Sequence, residues 1–217
     1  MVAKSIGIIG AGKQFKEKIF PIISKNSIFK IEGILRNSNK PFKKIPILKE
    51  KEFFKKTFDF VYICCPNYNH EKYILKSLNS NFNVICEKPF IIRKKNLNKI
   101  LKLAKKKNKL IFECFMYSYH PVFKYVKNLI RSKKFGKINY VVSNFRYPAL
   151  HKNNNRYKVN EGRGFFYDAA SYLISLESYL FENRHLGGFL KTKKIKKKID
   201  LRGYIFLDNG QQSRHYF

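Results

Sequence analysis

Short apolar runs alternate with amphipathic stretches along the first half of the chain. The runs predict strands at Ser5 to Gly10, Phe29 to Leu35, Ile45 to Leu48, Phe60 to Cys65, Asn83 to Glu87 and Leu110 to Cys114. Between the runs, helical spacing places apolar residues on one face, first at Tyr73, Ile74 and Leu78 and then at Leu97, Ile100, Leu101 and Ala104. Strands that alternate with helices in this way predict βαβ units and a doubly wound parallel sheet, an α/β fold.

The periodicity changes after Cys114. The pattern predicts an amphipathic helix from Pro121 to Ser132, a long alternating strand over residues 138–147, and a helix that begins near Asp168 and ends at Phe181. The remaining segments, GGFLK and IDLRGYIFLDNGQQSRHYF, predict strands that are joined by a turn at Asn209-Gly210. The second half therefore predicts an α+β arrangement with a largely antiparallel sheet.

The net charge is strongly positive. The chain has 46 Lys and Arg against 14 Asp and Glu, a formal charge of +32. The excess is mostly lysine, is spread from Lys4 to Lys198, and accompanies abundant Asn, Ile and Phe, which is the bias that AT-rich codons produce. Because nucleic-acid binders usually gather basic residues into one stripe, we expect no nucleic-acid partner. A basic nucleic-acid binder stays an alternative.

The densest basic segment, Lys191 to Asp200, is predicted to be a solvated loop, or else a polyanion contact.

Other features narrow the class of protein. A chain of 217 residues with 44% hydrophobic content can bury a substantial core. It has no run of about 20 apolar residues and no signal-peptide pattern, so we expect a cytoplasmic protein with no membrane partner. The four cysteines, Cys64, Cys65, Cys86 and Cys114, lack metal-binding spacing and predict buried thiols, with no metal site.

A glycine turn follows the first predicted strand. Gly10 and Gly12 have the spacing at which a backbone without Cβ atoms can approach a pyrophosphate, and Lys13 and Gln14 open the helix whose N-H groups would face it. The third motif position holds Phe15 rather than Gly or Ala, so an ordinary strand-to-helix turn is the alternative. The place of the turn in the first βαβ unit favours dinucleotide binding.

The second predicted strand ends in Arg36, Asn37 and Ser38. An acidic residue here usually binds the ribose hydroxyls of NAD, whereas Arg and small polar groups suit the 2′-phosphate of NADP. Since no carboxylate is available, the sequence predicts NADP, with NAD as the alternative. The competing interpretation is that Arg36 belongs to the general basic surplus and faces solvent.

The segment from Val61 to Phe90 carries the most specific pattern. A strand ends in Pro-Asn, a His opens the next helix, and a further strand ends in Glu-Lys-Pro; the residues are Pro66, Asn67, His70, Glu87, Lys88 and Pro89. This pattern closely resembles the glucose-fructose oxidoreductase, inositol dehydrogenase and MocA-like (Gfo/Idh/MocA) family of NAD(P)-dependent oxidoreductases. The resemblance implies a cofactor site that includes these residues up to Lys88, with Lys88 beside both the nicotinamide and the substrate hydroxyl.

Two later segments extend the resemblance. His120-Pro121 and residues 136–138 match the family's link into its substrate domain, although Ser118 stands where Arg is common. The segment GRGFFYDAASY resembles the approach to a helix that bears Asp and, four residues later, His or Tyr; here these are Asp168 and Tyr172. The tyrosine resembles the glucose-fructose oxidoreductase and dihydrodiol dehydrogenase branch. The alternative is that Tyr172 simply packs an amphipathic helix.

The resemblance implies hydride transfer between nicotinamide and a hydroxyl or carbonyl carbon of a sugar, sugar nucleotide or related polyol. Lys88, Asp168 and Tyr172 are then the candidate catalytic residues. Tyr172 would move the hydroxyl proton, and a nearby Lys88 would lower the pKa of a phenol that ordinarily ionises near pH 10. Asp168, four residues before Tyr172 and so on the same helix face, would orient the substrate or the lysine.

We expect a Rossmann NAD(P)-binding domain over residues 1–118 and a substrate domain over residues 119–217. Because family members continue with further strands, the second domain is expected to be truncated, and its sheet is where a homo-oligomer could form. The alternative function is a truncated or decayed family member that binds dinucleotide without catalysis.

Overall fold

The structure, a computed structural model, describes residues 2–38, 40–146, 148, 151, 157, 164, 166–181, 187–195, 199–208 and 212–216. The chain forms two compact units, Met1–Cys114 and Phe115–Phe217. Each unit has its own sheet and its own helices.

The first unit is built on a parallel sheet. Its strands are β1 (Lys4–Ile9), β2 (Phe29–Leu35), β3 (Ile47–Leu48), β4 (Phe60–Ile63), β5 (Asn83–Glu87) and β6 (Ile111–Cys114). They lie in the order β3-β2-β1-β4-β5-β6, and every pairing is parallel. The chain winds outward from β1 in one direction to β3 and in the other to β6. The carboxyl ends of β1 and β4 therefore meet at the crossover point, where sheets of this type bind ligands.

Helices cover both faces of this sheet. They are α1 (Phe20–Lys25), which continues a π-helical turn over Phe15–Ile19, and α2 (Glu50–Phe53), α3 (His70–Asn79) and α4 (Lys94–Lys107). The central strand serves both layers: Ile8 packs with Phe15 on the α1 face, whereas Ile9 packs with Ile74 and Ile100 on the face of α3 and α4. Burial on both faces explains the nearly continuous apolar run of β1. The predicted doubly wound α/β fold is confirmed.

The second unit combines two helices with a mixed sheet. Its elements are α5 (Pro121–Arg131), β7 (Tyr140–Asn144), a π-helical turn (Phe166–Ala170), α6 (Ser171–Phe181), β8 (Gly187–Ile195), β9 (Ile199–Asp208) and β10 (Gln212–Tyr216). The sheet order is β7-β10-β9-β8. β9 is antiparallel to both of its neighbours, and β10 is parallel to β7. The expected largely antiparallel sheet is confirmed.

The basic segment at Lys191 is not the predicted loop. Residues 191–195 belong to β8, and Lys191 pairs with Tyr204 of β9. β8 lies at the edge of the sheet, and edge strands accommodate lysines because their outer side faces water. The high lysine content therefore misled the prediction, while the backbone pairing with β9 decided the structure.

Smaller differences also have local causes. The predicted strand at Ile45 shortens to β3, because Pro46 has no N–H to offer the sheet and Ile45 instead forms an isolated bridge with Phe42. Leu101 was grouped with the buried face of α4, yet it is 50% exposed while Ile100 is fully buried. One residue rotates a helix by about 100°, which carries Leu101 past the edge of the contact face. The predicted turn at Asn209-Gly210 lies outside the described residues.

Candidate functional site

The glycine turn is wedged between two strand ends. Gly10 has φ of +125°, and its N–H donates to the carbonyl of Leu35 at the end of β2 (2.9 Å). A Cβ on Gly10 would lie 2.6 Å from the Cys65 nitrogen and 2.7 Å from the Cys64 carbonyl. Both the backbone angle and the space therefore require glycine at this position.

Gly12 is open where Gly10 is crowded. A Cβ on Gly12 would meet no described atom within 4 Å. Gly12, Lys13 and Gln14 are all exposed beyond the carboxyl end of β1, where Lys13 and Gln14 begin the helix. The turn thus leaves a free approach to its backbone at the place where a helix N-terminus favours an anion.

Phe15 fills the third position of the glycine motif with a core side chain. Its ring is 1% exposed and lies 5.9 Å from Phe42, 6.2 Å from Phe20 and 6.4 Å from Tyr62, centroid to centroid. A small residue here would allow the helix to approach the sheet closely. In this chain an aromatic cluster occupies the space between the helix and the sheet, and the helix includes a π-helical turn over Phe15–Ile19.

Arg36 is anchored and does not simply extend into solvent. Its guanidinium donates to the carbonyl of Lys40 and lies 5.9 Å from the centre of the Phe42 ring. Lys16, from the helix after the glycine turn, lies at the same distance from that ring. The Arg36 Nε is buried and has no hydrogen-bond partner among the described residues. Two cations and an unsatisfied donor therefore gather at the end of β2, beside the exposed Asn37 and Ser38.

Asn67 lies where β4 leads into α3. Its side-chain oxygen Oδ1 is buried and has no hydrogen-bond partner within the described part of the chain. A buried amide oxygen of this kind costs free energy unless a partner reaches it. Asn67 and its neighbour Pro66 follow directly on the two cysteines that face the glycine turn, so they share the crossover point with Gly10.

His70 joins two chain segments of the site. The ring is 1% exposed, with Nδ1 2.9 Å from the Pro89 carbonyl and Nε2 2.9 Å from the Cys65 carbonyl. Burial lowers the pKa of His70, against the contrary effect of the two carbonyls. Because both ring nitrogens face backbone carbonyls, His70 connects the segment that contains Asn67 with the segment that contains Lys88.

Glu87 collects hydrogen bonds from two other elements. Its Oε1 accepts from the Tyr62 hydroxyl of β4 and from Gln14 Nε2 of the glycine turn (3.1 Å). Burial, followed by the negative charge of Glu87 and the hydrogen bond to it, raises the pKa of Tyr62. The phenol therefore stays protonated as a donor. Glu87 directly precedes Lys88, which is half-buried.

The segment after Lys88 is held by two carboxylates. Glu113 of β6 accepts from the Phe90 N–H (2.7 Å), and Glu71 of α3 accepts from the N–H groups of Ile92 (3.2 Å) and Arg93 (3.0 Å). Burial raises the pKa of Glu113. At Glu71 burial acts in the same direction, but hydrogen bonds from Asn96, Arg93 and Ile92 outweigh it and lower the pKa. This irregular segment is thus fixed at several points.

The second unit carries the other candidate residues. Asp168 lies in the π-helical turn and Tyr172 in the first turn of α6. The Tyr172 ring stacks on Phe145 (5.0 Å, 5°) and meets Phe115 edge-on (5.7 Å). The predicted helix is present, but its first turn is π-helical, and Asp168 and Tyr172 lie on either side of the change from π-helix to α-helix. Of the preceding glycine segment, residues 162–163 lie outside the described residues.

The tyrosines and histidine before α5 have structural contacts. Tyr117 and Ser175 share a hydrogen bond (2.6 Å), and His120 Nδ1 accepts from the Val122 N–H at the start of α5 (3.3 Å). Ser118 donates to the Phe115 carbonyl (2.8 Å). Tyr117 thus contacts α6 through Ser175, and His120 caps the N-terminus of α5.

The described residues offer neither an ionised thiol nor a cluster of metal ligands. Burial raises the pKa of Cys64, Cys65 and Cys114 to about 12 and that of Cys86 well above its usual value, so the thiols stay protonated. The described residues include no group of three or more His, Cys, Asp or Glu that could hold a metal ion. Among the described helices, none is long and apolar enough to span a bilayer.

The structure brings most of the predicted cofactor residues of the first unit to one edge of its sheet. Direct hydrogen bonds connect Gln14 with Glu87, and His70 connects the segments of Asn67 and Lys88. Asp168 and Tyr172 lie in the second unit. Sequence analysis missed Tyr62, Glu71 and Glu113. The signal for Tyr62 was a hydroxyl inside an apolar strand, since buried tyrosine hydroxyls usually find a partner.

Two family models match the chain. An oxidoreductase family with an NAD-binding Rossmann fold matches residues 4–115, and the GFO/IDH/MocA C-terminal domain matches residues 123–204. Both matches follow the two units that the structure shows.

Curated relatives share part of their length with this chain. A dTDP-3,4-didehydro-2,6-dideoxy-alpha-D-glucose 3-reductase of Saccharopolyspora spinosa is 28% identical over 152 residues, 70% of this chain and 46% of the relative. The enzyme of the same name from Actinomadura kijaniata is 22% identical, over 78% of this chain and 53% of its own. A trans-1,2-dihydrobenzene-1,2-diol dehydrogenase of Xenopus laevis is 22% identical, over 66% and 44%. The chain spans about half the length of these relatives.

Solved structures show the same fold. The 3-ketoreductase of Actinomadura kijaniata, solved with NADP and TDP-benzene, has a TM-score of 0.89 at 18% identity and covers 99% of this chain and 70% of its own. The aldose-aldose oxidoreductase of Caulobacter crescentus, solved with glycerol, also reaches 0.89, at 15% identity with 99% and 70% coverage.

Proposed function

The chain belongs to the Gfo/Idh/MocA oxidoreductase family, as its motifs predict, and we propose that it is an NADP-dependent oxidoreductase acting on a sugar or sugar nucleotide. In this proposal the first unit binds the dinucleotide and the second contributes the substrate site. The observation that carries it is the convergence at the crossover of β1 and β4. An open glycine turn, a buried amide oxygen with no hydrogen-bond partner among the described residues, and the strand end before Lys88 come together there.

The residues present fit a dinucleotide. The open backbone at Gly12 leaves room for a diphosphate, and Lys13 adds a positive charge beside it. The Asn67 Oδ1 that lacks a partner among the described residues would accept a hydrogen bond from the bound cofactor. When bound, NADP supplies the hydride chemistry that no side chain can provide.

The end of β2 favours NADP over NAD. Arg36 is the charged residue at this position, and Lys16 adds a second cation over the same Phe42 ring. The Nε of Arg36, which has no partner within the described part of the chain, offers a donor to a 2′-phosphate, and Ser38 and Asn37 lie exposed beside it. The relative from Actinomadura kijaniata was solved with NADP, which supports the same choice.

We assign proton transfer to Lys88 and Tyr172, with Asp168 as an orienting group. Lys88 would hold the substrate oxygen and stabilise negative charge that develops on it, and Tyr172 would transfer the hydroxyl proton. The stacking of Tyr172 between aromatic rings would fix its orientation. The names of the reductases that the chain resembles support a keto sugar nucleotide as the substrate class.

The cofactor assignment is tested by calorimetric titration of the purified chain with NADPH and NADH. NADPH should bind more tightly, and Arg36→Ala should weaken NADPH binding by about 10-fold, because one charged hydrogen bond is lost, while NADH affinity stays within about twofold. Arg131→Ala, which removes the same charge from the exposed end of α5, is the matched control. Tighter binding of NADH, or no effect of Arg36→Ala, would contradict the assignment.

The catalytic assignment requires turnover. Oxidation of NADPH in the presence of a 3-keto dTDP-sugar, followed at 340 nm as an absorbance loss, should show substrate-dependent activity. Tight NADPH binding without turnover of keto sugar nucleotides, free keto sugars or polyols would favour the alternative, a family member that binds dinucleotide without catalysis.

A further inference from the structure

One carboxylate oxygen joins three separate segments of the first unit. Oε1 of Glu87, at the end of β5, accepts from the Tyr62 hydroxyl within β4 and from the Gln14 amide of the glycine turn. Tyr62 lies 25 residues and Gln14 lies 73 residues away from Glu87 along the chain. The arrangement therefore connects the turn that would hold a diphosphate with the residue that directly precedes Lys88.

The Tyr62 end of this connection is rigid. The ring is 4% exposed and packs 6.4 Å from the Phe15 ring, centroid to centroid. Tyr62 pairs with Ile85 in the sheet, two residues before Glu87, so the phenol and the carboxylate emerge on the same face. The Gln14 end is exposed at the surface of the turn. The buried Tyr62 hydroxyl thus orients the Glu87 carboxylate, and that carboxylate in turn accepts a hydrogen bond from the exposed Gln14 side chain.

Other contacts hold the far side of Lys88. His70 meets the Pro89 carbonyl, and Glu113 accepts from the Phe90 N–H. These two contacts fix the chain after Lys88, whereas Tyr62 fixes it before Lys88 and also reaches the glycine turn through Gln14. The Tyr62 contact is therefore the one suited to setting the spacing between the turn and the lysine.

We propose that Tyr62 is a positioning residue that, through Glu87 and Gln14, sets the separation between the diphosphate-binding turn and Lys88. The inference rests on the proposed dinucleotide site and deepens it. A whole dinucleotide has to satisfy both ends of the site together, so its binding depends on that separation. A ligand that uses only the turn and Arg36 does not depend on it.

The test compares a whole and a half ligand on the full chain. Tyr62→Phe keeps the buried ring and removes the hydroxyl. Tyr73→Phe is the matched control, since the Tyr73 hydroxyl also bonds to a glutamate, but to Glu50 of α2 (3.2 Å) rather than to Glu87. Dissociation constants for NADPH and for adenosine 2′,5′-bisphosphate are measured for both variants and the unaltered protein, together with their melting temperatures.

Tyr62→Phe should weaken NADPH binding by about 10-fold, the effect of losing one hydrogen bond to a charged group, and leave the bisphosphate within about twofold. Tyr73→Phe should leave both within about twofold. Equal weakening of the two ligands by Tyr62→Phe, or no weakening of either, would overturn the proposal. If the unaltered chain binds neither ligand, the proposed function fails instead.

A double-mutant cycle that combines changes at Tyr62 and Gln14 tests the connection independently of the effect of Tyr62→Phe alone. Gln14→Leu removes the exposed end of the same connection. If Tyr62 and Gln14 act through one carboxylate, the double variant should bind NADPH about as weakly as the weaker single variant, because coupled residues are not additive. Losses that multiply would mean that the two residues act independently, and would overturn the connection.

Discussion

Gly10 and Gly12 are the same residue type for two different physical reasons. Gly10 has a positive φ and is closed in by the backbone of Cys64 and Cys65. Gly12 has neither constraint, and its Cβ position is empty of described atoms. The first glycine is needed by the fold, and the second is expected to be needed by the ligand.

Alanine substitutions separate these two roles. Gly10→Ala should lower the free energy of unfolding by about 1–3 kcal/mol, because the methyl group would overlap backbone and the residue would keep a strained φ. Gly12→Ala should change it by less than about 1 kcal/mol but weaken NADPH binding. Urea unfolding and NADPH titration of both variants check this. A stable Gly10→Ala protein would contradict the crowding that the structure shows.

Lys88 is the residue on which the catalytic assignment depends most. Lys88→Met retains the length of the side chain and removes the ammonium that would hold the substrate oxygen. We expect turnover to fall by at least about 100-fold, the scale of one positioned proton-transfer group, while NADPH affinity stays within a few-fold. Lys109→Met, two residues before β6, serves as a control for charge alone. Retained turnover in Lys88→Met would remove the lysine from the mechanism.

The sequence predicted most of the residues at the site, but it did not predict their hydrogen-bond partners. Of the motif residues, Asn67, His70 and Lys88 follow strands of one sheet and Glu87 ends one, as their spacing predicts. At His70, for example, the sequence did not reveal that both ring nitrogens face backbone carbonyls, those of Pro89 and Cys65. Tyr62 was passed over because a tyrosine within an apolar strand resembles any other core residue until its neighbours are known.

At the scale of elements, the segment from Glu87 to Arg93 is held by its neighbours rather than by regular structure. Contacts come from β4, α3 and β6, through Tyr62, His70, Glu71 and Glu113. Two of the helices near the candidate residues also begin with π-helical turns, at Phe15 and at Phe166. Such turns are frequent at functional sites, and residue propensity did not predict either of them.

The buried His70, which contacts the Pro89 and Cys65 carbonyls, makes the free energy of unfolding depend on pH. Burial lowers the pKa of His70 from 6.5 in the folded protein, so the neutral ring contributes stability above about pH 6.5 and this contribution is lost as the pH falls below that value. The free energy of unfolding should therefore decrease between pH 7.5 and pH 5.5, as measured by urea unfolding.

His70→Gln supplies the control for this pH dependence. Its unfolding free energy should vary less over the same range, because the titrating ring is absent. Burial raises the pKa of Glu113 above 4.5, so Glu113 contributes in the opposite direction, with stability lost as the pH rises. Both proteins retain Glu113, and the difference between them isolates His70. An identical slope in the two proteins would contradict the prediction.

At the scale of the whole molecule, the charge of +32 is the dominant feature. Helix α4 illustrates it, with lysines at both ends and no acidic residue in its first turn. The surface ion pairs, such as Lys13 with Glu17 (3.9 Å) and Lys30 with Glu32 (3.3 Å), are exposed and contribute little. Repulsion among the remaining cations therefore works against the folded state.

Salt should stabilise this protein. Raising NaCl from about 10 mM to 150 mM shortens the screening length from about 30 Å to about 8 Å, which weakens repulsion between exposed cations. We expect the melting temperature to rise by several degrees in a scanning calorimeter. KCl should act like NaCl at equal concentration, since screening depends on ionic strength. A constant or falling melting temperature would show that self-repulsion is not a significant term.

The sequence by itself determined the order of elements, the doubly wound sheet and the positions of the motif residues at strand ends. These features depend on periodicity and residue type within short stretches, as for β2 and β5, whose predicted bounds agree with the structure. Tertiary structure alone decided which side chains meet: Tyr62 with Glu87, Phe15 with Phe42, and lysine-rich β8 with β9. Such contacts join residues far apart in the chain, and local patterns do not encode which distant partner fills a given space.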